Sequence, residues 1–215
     1  MPSSRFDEDV TKRLREVLAG AHALEELVLH TTCAPPPRLA IVPFRREALA
    51  MLGIRGSPES IATIDSALRP LGTIERHLVT QSTPRARERA WALGEQTPGV
   101  CLITSFRKKR DLDHAAFVRE WYEHHTPLAL ETHPLAGYVR NAVEETHGAP
   151  APAWHGIVLE SFASHEDLLH PLRFFGGGAS ALRGMWRVAS HVPRFLDLRT
   201  LENHLVRERV LLERT

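Results

Sequence analysis

The stretch from Pro98 to Asn141 constrains the fold more than any other part of the chain. Val100, Leu102, Ile103 and Phe106 form a short apolar run between Gly99 and the basic block Arg107–Arg110, the pattern of a buried strand with a solvated exit. Asp113 then stands where a helix N-cap is needed, its carboxylate able to accept a hydrogen bond from a free N–H of the first turn. Phe117, Trp121, His124 and Leu128 recur at helical spacing, so one face packs inward and carries a histidine. Pro127 lacks an N–H and disfavours helical geometry in the residue before it, which predicts a helix over 113–125 that stops near His125. His124 and His125 then sit at a helix C-terminus, where the dipole favours imidazolium and acid–base chemistry has a natural place.

The same reading extends along the chain. Residues 5–19 form an amphipathic helix, 24–30 a strand, 34–38 a stiff proline connector and 39–44 a second strand. Ser57 and Pro58 start a helix that runs to Leu68 before Pro70 and Gly72. A strand over 73–81 and a charged helix over 84–93 lead to a boundary at 94–99. After it come strands at 99–106, 135–145 and 156–162, a turn at 146–152, a helix capped by Ser164, a glycine loop at 174–178, a helix through Trp186 and a closing strand over 192–198. The second half thus has the order βαββαβ, a ferredoxin-like unit, and the fold class is α+β. The expected domains are 1–95, a degenerate copy of that unit, 98–205, the intact one, and 206–215, a C-terminal tail.

A chain of 215 residues holds one large domain or two small ones, and a net charge of +1 makes no case for nucleic acid or acidic membranes. Without an apolar leader or an apolar run approaching about 18 residues, a cytoplasmic protein is expected. Cys33 and Cys101 suggest neither a disulfide framework nor a metal knuckle. No His-Glu-x-x-His pair or Gly-x-Ser-x-Gly elbow occurs, and Gly176–Gly178 lacks the lysine and hydroxyl of a phosphate loop, so it reads as a lid or hinge.

Residues 98–205 resemble the EthD family of dimeric α/β-barrel proteins. The likeness rests on the opening strand with Arg107, on F-V-R-E-W-Y-E-H-H-T-P-L-A, on Gly137-Tyr-Val-Arg-Asn141 and on W-H-G-I-V-L-E-S-F. It implies ferredoxin-like units packed into a dimeric barrel, a homodimer, and cofactor-free dehydration or cyclisation of aromatic polyketides. His155-Gly156 stands where many relatives carry Asp-Gly, so that acid's role does not transfer.

By the same resemblance His125 holds the family's histidine position, as general acid or base with an ordinary pKa of about 6.5. The competing reading is a histidine bonded to backbone at a helix end. Tyr138 and Arg140 share a strand face, and together a phenol and a guanidinium suit a carbonyl or phenolate oxygen, or else form a cross-strand pair. Asn141 adjoins them, His133 lines the entrance, and Glu160 orients an imidazole such as His155 or faces solvent. Trp121, Tyr122, Phe174, Phe175 and Trp186 form a flat aromatic pocket or simply core. The expected activity is a cofactor-independent lyase acting on a hydroxylated aromatic or polyketide-like carbonyl compound, with His125, Tyr138 and Arg140 catalytic and no metal. The alternatives are a non-catalytic carrier or sensor of small molecules, or a haem- or oxygen-handling barrel.

Overall fold

The last strand of the chain lies in the middle of its sheet. The structure, a computed structural model, describes residues 2–20, 23–32, 36–37, 40, 42–148 and 153–214. Helix α1 (Pro2–Leu18) precedes strands β1 (Leu24–Thr32) and β2 (Ala50–Gly56), helix α2 (Pro58–Leu68) and strand β3 (Glu75–Arg85). The second half runs β4 (Val100–Phe106), α3 (His114–Arg119), a π-helical turn (Glu120–His125), α4 (Thr126–Thr132), β5 (Leu135–Gly148) and β6 (Gly156–Phe162). Short helices α5 (His165–Leu169) and α6 (Pro171–Phe174), helix α7 (Ser180–His191) and strand β7 (Glu202–Glu213) complete it. The strands form one antiparallel sheet in the order β2-β1-β7-β4-β6-β5-β3.

The helix starts follow local chemistry. Ser57 accepts from the Ser60 N–H, Asp113 from the Ala116 N–H and Ser164 from the Asp167 N–H, each side chain satisfying a donor the helix itself leaves free. Phe117, Trp121 and Ala129 from the α3–α4 helix, with Ala181 from α7, pack on Val100, Leu102, Phe106, Tyr138, Val158, Phe162 and Leu205 of the sheet. Val10 and Leu14 of α1 and Ile64 of α2 cover Leu24, Leu27 and Leu29 of β1. A third cluster, Cys101, Ile103, Ile157, Leu159 and Val206, draws alternate residues of β4 and β6 and is joined by Met51 of β2 and by Val139 and Val143 of β5. For Met51, on an outer strand, to reach residues of the central strands, the sheet has to curl.

Several expectations are corrected. The helix does not end near His125. It continues through Pro127 to Thr132, because the Trp121 carbonyl accepts the N–H of Thr126 five residues on and its hydroxyl at 2.9 Å. The ladder is already interrupted there, so the absent proline N–H leaves little further to break. No helix forms over 84–93. Pro84 falls at an irregularity of edge strand β3, Arg85 donates to the Leu135 carbonyl at 2.9 Å, and Arg89 reaches the Glu213 carboxylate at 2.6 Å. The closing strand is not at 192–198. Pro193 follows α7 in a 3₁₀ turn (Val192–Arg194), and Phe195 and Leu196 bury in the core instead.

The supposed tail is the second half of β7, where charged residues interrupt the apolar alternation. That strand joins the two halves: 202–206 pair with β4 and 206–213 with β1. Of the expected strand at 39–44, Leu39 and Ile41 lie outside the described residues, and Phe44 makes an isolated bridge to Asn203. Cys33 and residues 34, 35 and 38 of the proline connector also lie outside them. So do residues 149–152 of the expected turn at 146–152, whose first part is strand as far as Gly148. Strand β2 was not foreseen.

Candidate functional site

Strand periodicity puts Tyr138 and Arg140 on the helix-covered face of β5, opposite Glu160 and Val158 of β6. Arg140 donates from Nη1 to the Thr126 hydroxyl at 3.0 Å and from Nε to the Ser82 hydroxyl at 3.1 Å, with its guanidinium carbon 3.7 Å from the Tyr122 ring centroid. The π turn supplies this arrangement. Thr126 takes the arginine proton on its hydroxyl oxygen and gives its own to the Trp121 carbonyl. Nothing in the sequence around Thr126 and Ser82 marks either as a partner of Arg140.

Tyr138 is 1% exposed, and burial, followed by the Glu160 carboxylate, pushes its phenol pKa up. Tyr138 therefore stays protonated. Glu160, enclosed by protein but keeping part of its surface accessible, faces Tyr138 on one side and Leu102 on the other. Burial lifts its carboxyl to about 7. Its proton is exchangeable near neutrality, directly across the strand pair from Tyr138 and one diagonal strand position from Arg140. The expected pairing of Glu160 with His155 is absent, since His155 lies at the far end of β6 beside Phe117.

His125 departs from expectation. The π turn shifts the helical phase, so His124 points to solvent and His125 turns toward α7. Its ring stacks on His191 with centroids 5.5 Å apart and planes 9° from parallel, and meets Phe195 at 5.1 Å. Its Nδ1 is buried without a hydrogen-bond partner among the described residues, and His191 Nε2, also without a hydrogen bond, lies 3.9 Å from the Glu120 carboxylate. Burial, then His191 and His133, drives the pKa of His125 down to about 3. It is a neutral, half-buried ring, and no helix ends there to favour imidazolium. His133 is no entrance residue either. Its Nδ1 hydrogen-bonds the Phe174 carbonyl at 2.7 Å, and its ring packs on Phe174 and Phe175.

The aromatic set divides. Trp121, Phe174 and Phe175 are core, Tyr122 lies under Arg140, and Trp186 is 72% exposed on the outer side of α7. Asn141 occupies the opposite face of β5 and donates to the Ile157 carbonyl at 3.3 Å. Among the described residues no group of three or more His, Cys, Asp or Glu is placed to hold a metal ion, and no described helix is long and apolar enough to cross a membrane. An open groove of about 480 Å³ lies away from this site, between Asp7, Thr11 and Arg15 of α1 and Arg209 of β7. Compared with known proteins, the chain matches no family model, no curated protein and no solved structure.

Proposed function

We propose that the chain is a cofactor-independent enzyme of lyase type acting on a hydroxylated, aromatic or polyketide-like carbonyl compound, with Glu160 in place of His125 as the proton-transfer group. The observation that carries this reading is a carboxyl lifted to about 7 directly opposite Tyr138 and one diagonal step from Arg140. In a dehydration, the Glu160 carboxylate removes the proton next to the carbonyl. Tyr138 donates a hydrogen bond to the resulting enolate oxygen, and the Arg140 charge stabilises it. The carbon–carbon double bond then forms as the β-hydroxyl leaves with the proton from Glu160, releasing water and restoring the carboxylate. A positioned acid–base group contributes about 10²–10⁴-fold to such a step.

The strand order β7-β4-β6-β5 supports a ferredoxin-like unit in the second half, in keeping with the EthD resemblance, and a cytoplasmic homodimer remains part of the proposal. A carrier or sensor is the second reading, favoured by the burial of Tyr138 and by the engagement of Arg140 with Thr126 and Ser82. The test is mass-spectrometric turnover of a panel of hydroxylated aromatic and polyketide-like carbonyl compounds without added cofactor. Wild type and His125→Phe are expected to convert a common substrate, while Glu160→Gln loses about 10²–10⁴-fold. Undiminished turnover in Glu160→Gln would overturn the assignment, and binding without conversion by wild type would establish the carrier.

A further inference from the structure

Away from Glu160, at the opposite end of β4 and β6, cationic groups converge where the ladder ends. Its last pair is Phe106–Gly156. One step beyond, Arg107 leaves β4 as His155 enters β6, and the His155 N–H donates to the Phe106 carbonyl at 2.9 Å. The two side chains therefore start from neighbouring backbone positions.

Arg107 is not the solvated side chain that a basic strand exit suggests. Its N–H is held by the Thr200 hydroxyl at 3.1 Å and its carbonyl by the Asp197 N–H at 3.0 Å. Its guanidinium carbon lies 5.7 Å from the centroid of the buried Trp154 ring. Arg107 Nε is buried and has no acceptor among the described residues, and His155 Nδ1 is buried and equally without a partner. The Phe117 ring closes another side of His155, with centroids 6.1 Å apart.

The electrostatics have one sign. Beyond burial, the groups acting on the His155 imidazole are Lys108, His114 and Arg107, and all of them disfavour its charged form. No carboxylate appears among them. Asp113 is committed to capping the Ala116 N–H at 2.8 Å, and Asp197 accepts from Arg199. Lys108 directs its ammonium at the Lys109 and Leu112 carbonyls, so it supplies charge without itself partnering the two nitrogens. Two buried nitrogens without hydrogen-bond partners, with the Lys108 charge beside them and an indole against Arg107, lack one component, an anion.

We infer that this end of β4 and β6 binds a small oxyanion, the carboxylate or phosphate group of a small molecule, held by Arg107 Nε–H and His155 Nδ1–H near the Trp154 ring, with Lys108 as flanking charge and His114 beside it. The bound anion accepts from both orphaned nitrogens and offsets the mutual repulsion of the cations. It also favours imidazolium at His155, so occupancy raises the pH at which that ring titrates. The site is independent of Glu160 and would stand if the catalytic reading failed.

Inorganic phosphate and benzoate, each titrated into the full chain at ionic strength held constant with chloride, test the inference through the His155 imidazole proton resonances and calorimetry. Saturable binding of at least one probe is expected, with the His155 titration midpoint moving upward. Tighter phosphate binding identifies a phosphate ligand, and tighter benzoate binding an aromatic carboxylate. Arg107→Gln is expected to weaken binding about tenfold or more, and His155→Gln to weaken it less. Arg119→Gln, an exposed arginine of α3, and Glu160→Gln are expected to leave it unchanged. Near-UV circular dichroism establishes that each variant is folded, and the affinity of His155→Gln decides the matter if Arg107→Gln is not. Failure of both probes to saturate, or equal affinity in wild type and the folded Arg107 or His155 variant, would overturn the inference.

Discussion

Two polar clusters share the same helix and treat their polar atoms in opposite ways. Around Thr126, on the sheet side, the donors of Arg140 find acceptors and the hydroxyl is used in both directions. At His125, one residue earlier, two imidazoles stack with a buried nitrogen on each left without a hydrogen bond. The first cluster keeps a carboxyl that titrates near neutrality, while the second keeps the His125 ring neutral over the whole ordinary range. Polar residues inside a protein thus do not by themselves mark a reactive site. What separates the two regions is titration: the Glu160 proton is exchangeable near neutrality and the His125 ring is not.

The largest expected effect empties the core beneath the turn that carries both clusters. The Trp121 ring is fully buried at the π turn and packs on Phe106 at 5.0 Å and Phe117 at 5.6 Å, so Trp121→Ala, which keeps the backbone carbonyl but empties that space, should cost about 3–5 kcal/mol in denaturant unfolding. A loss below about 1 kcal/mol would show that the two clusters are held independently of it. Arg140→Leu comes next, at about 2–3 kcal/mol, because it breaks charged hydrogen bonds and leaves the Thr126 and Ser82 hydroxyls without that donor. His125→Phe, which loses no hydrogen bond at Nδ1, should stay within about 1.5 kcal/mol at pH 7. Equal costs for these two variants would erase the contrast.

The contrast also has a pH signature. His125 is neutral in the folded chain down to about pH 3 but protonates near 6.5 when unfolded, so its share of stability is lost as the pH falls from 6.5 toward 3. Glu160 acts in the reverse direction. Unfolded it ionises near 4.5 and folded near 7, so stability falls as the pH rises through that interval. Glu160→Gln should therefore stabilise the protein at pH 8 by about 1–3 kcal/mol, and His125→Phe should flatten the acid limb. Chemical denaturation from pH 4 to 8 reads both, and an unchanged profile in either variant would remove that residue from the comparison. The smallest effect is Asp113→Ala, about 1 kcal/mol from the lost cap on α3, seen as a lower melting temperature with both clusters intact.

Much of the fold was legible where local chemistry decides structure. The caps at Ser57, Asp113 and Ser164 and the apolar runs of β4 and β6 could be read directly, because each signal and its consequence lie within a few residues. Where distant partners decide, the reading failed. Arg85 and Arg89 look helical until their acceptors at Leu135 and Glu213 are known. The charges of β7 look like a tail until β1 and β4 pair along it, and the two glycines of β2 dilute its pattern. The shared face of Tyr138 and Arg140 followed from period two alone. The inward turn of His125 required the π insertion, which Pro127 disguises as a helix end. Glu160 stood among apolar neighbours in view, but its enclosure depends on a helix whose course the sequence did not disclose.

The position of β7 has a consequence for how the chain is made. It follows the other six strands in sequence, yet it hydrogen-bonds β1, the first of them, and β4 from the second half. Until it is in place both strands present open edges, the exposure that favours pairing with the wrong chain. The inner part of the sheet therefore stays incomplete until residues 202–213 have been synthesised, and without them β1 and β4 would lack the strand that lies between them.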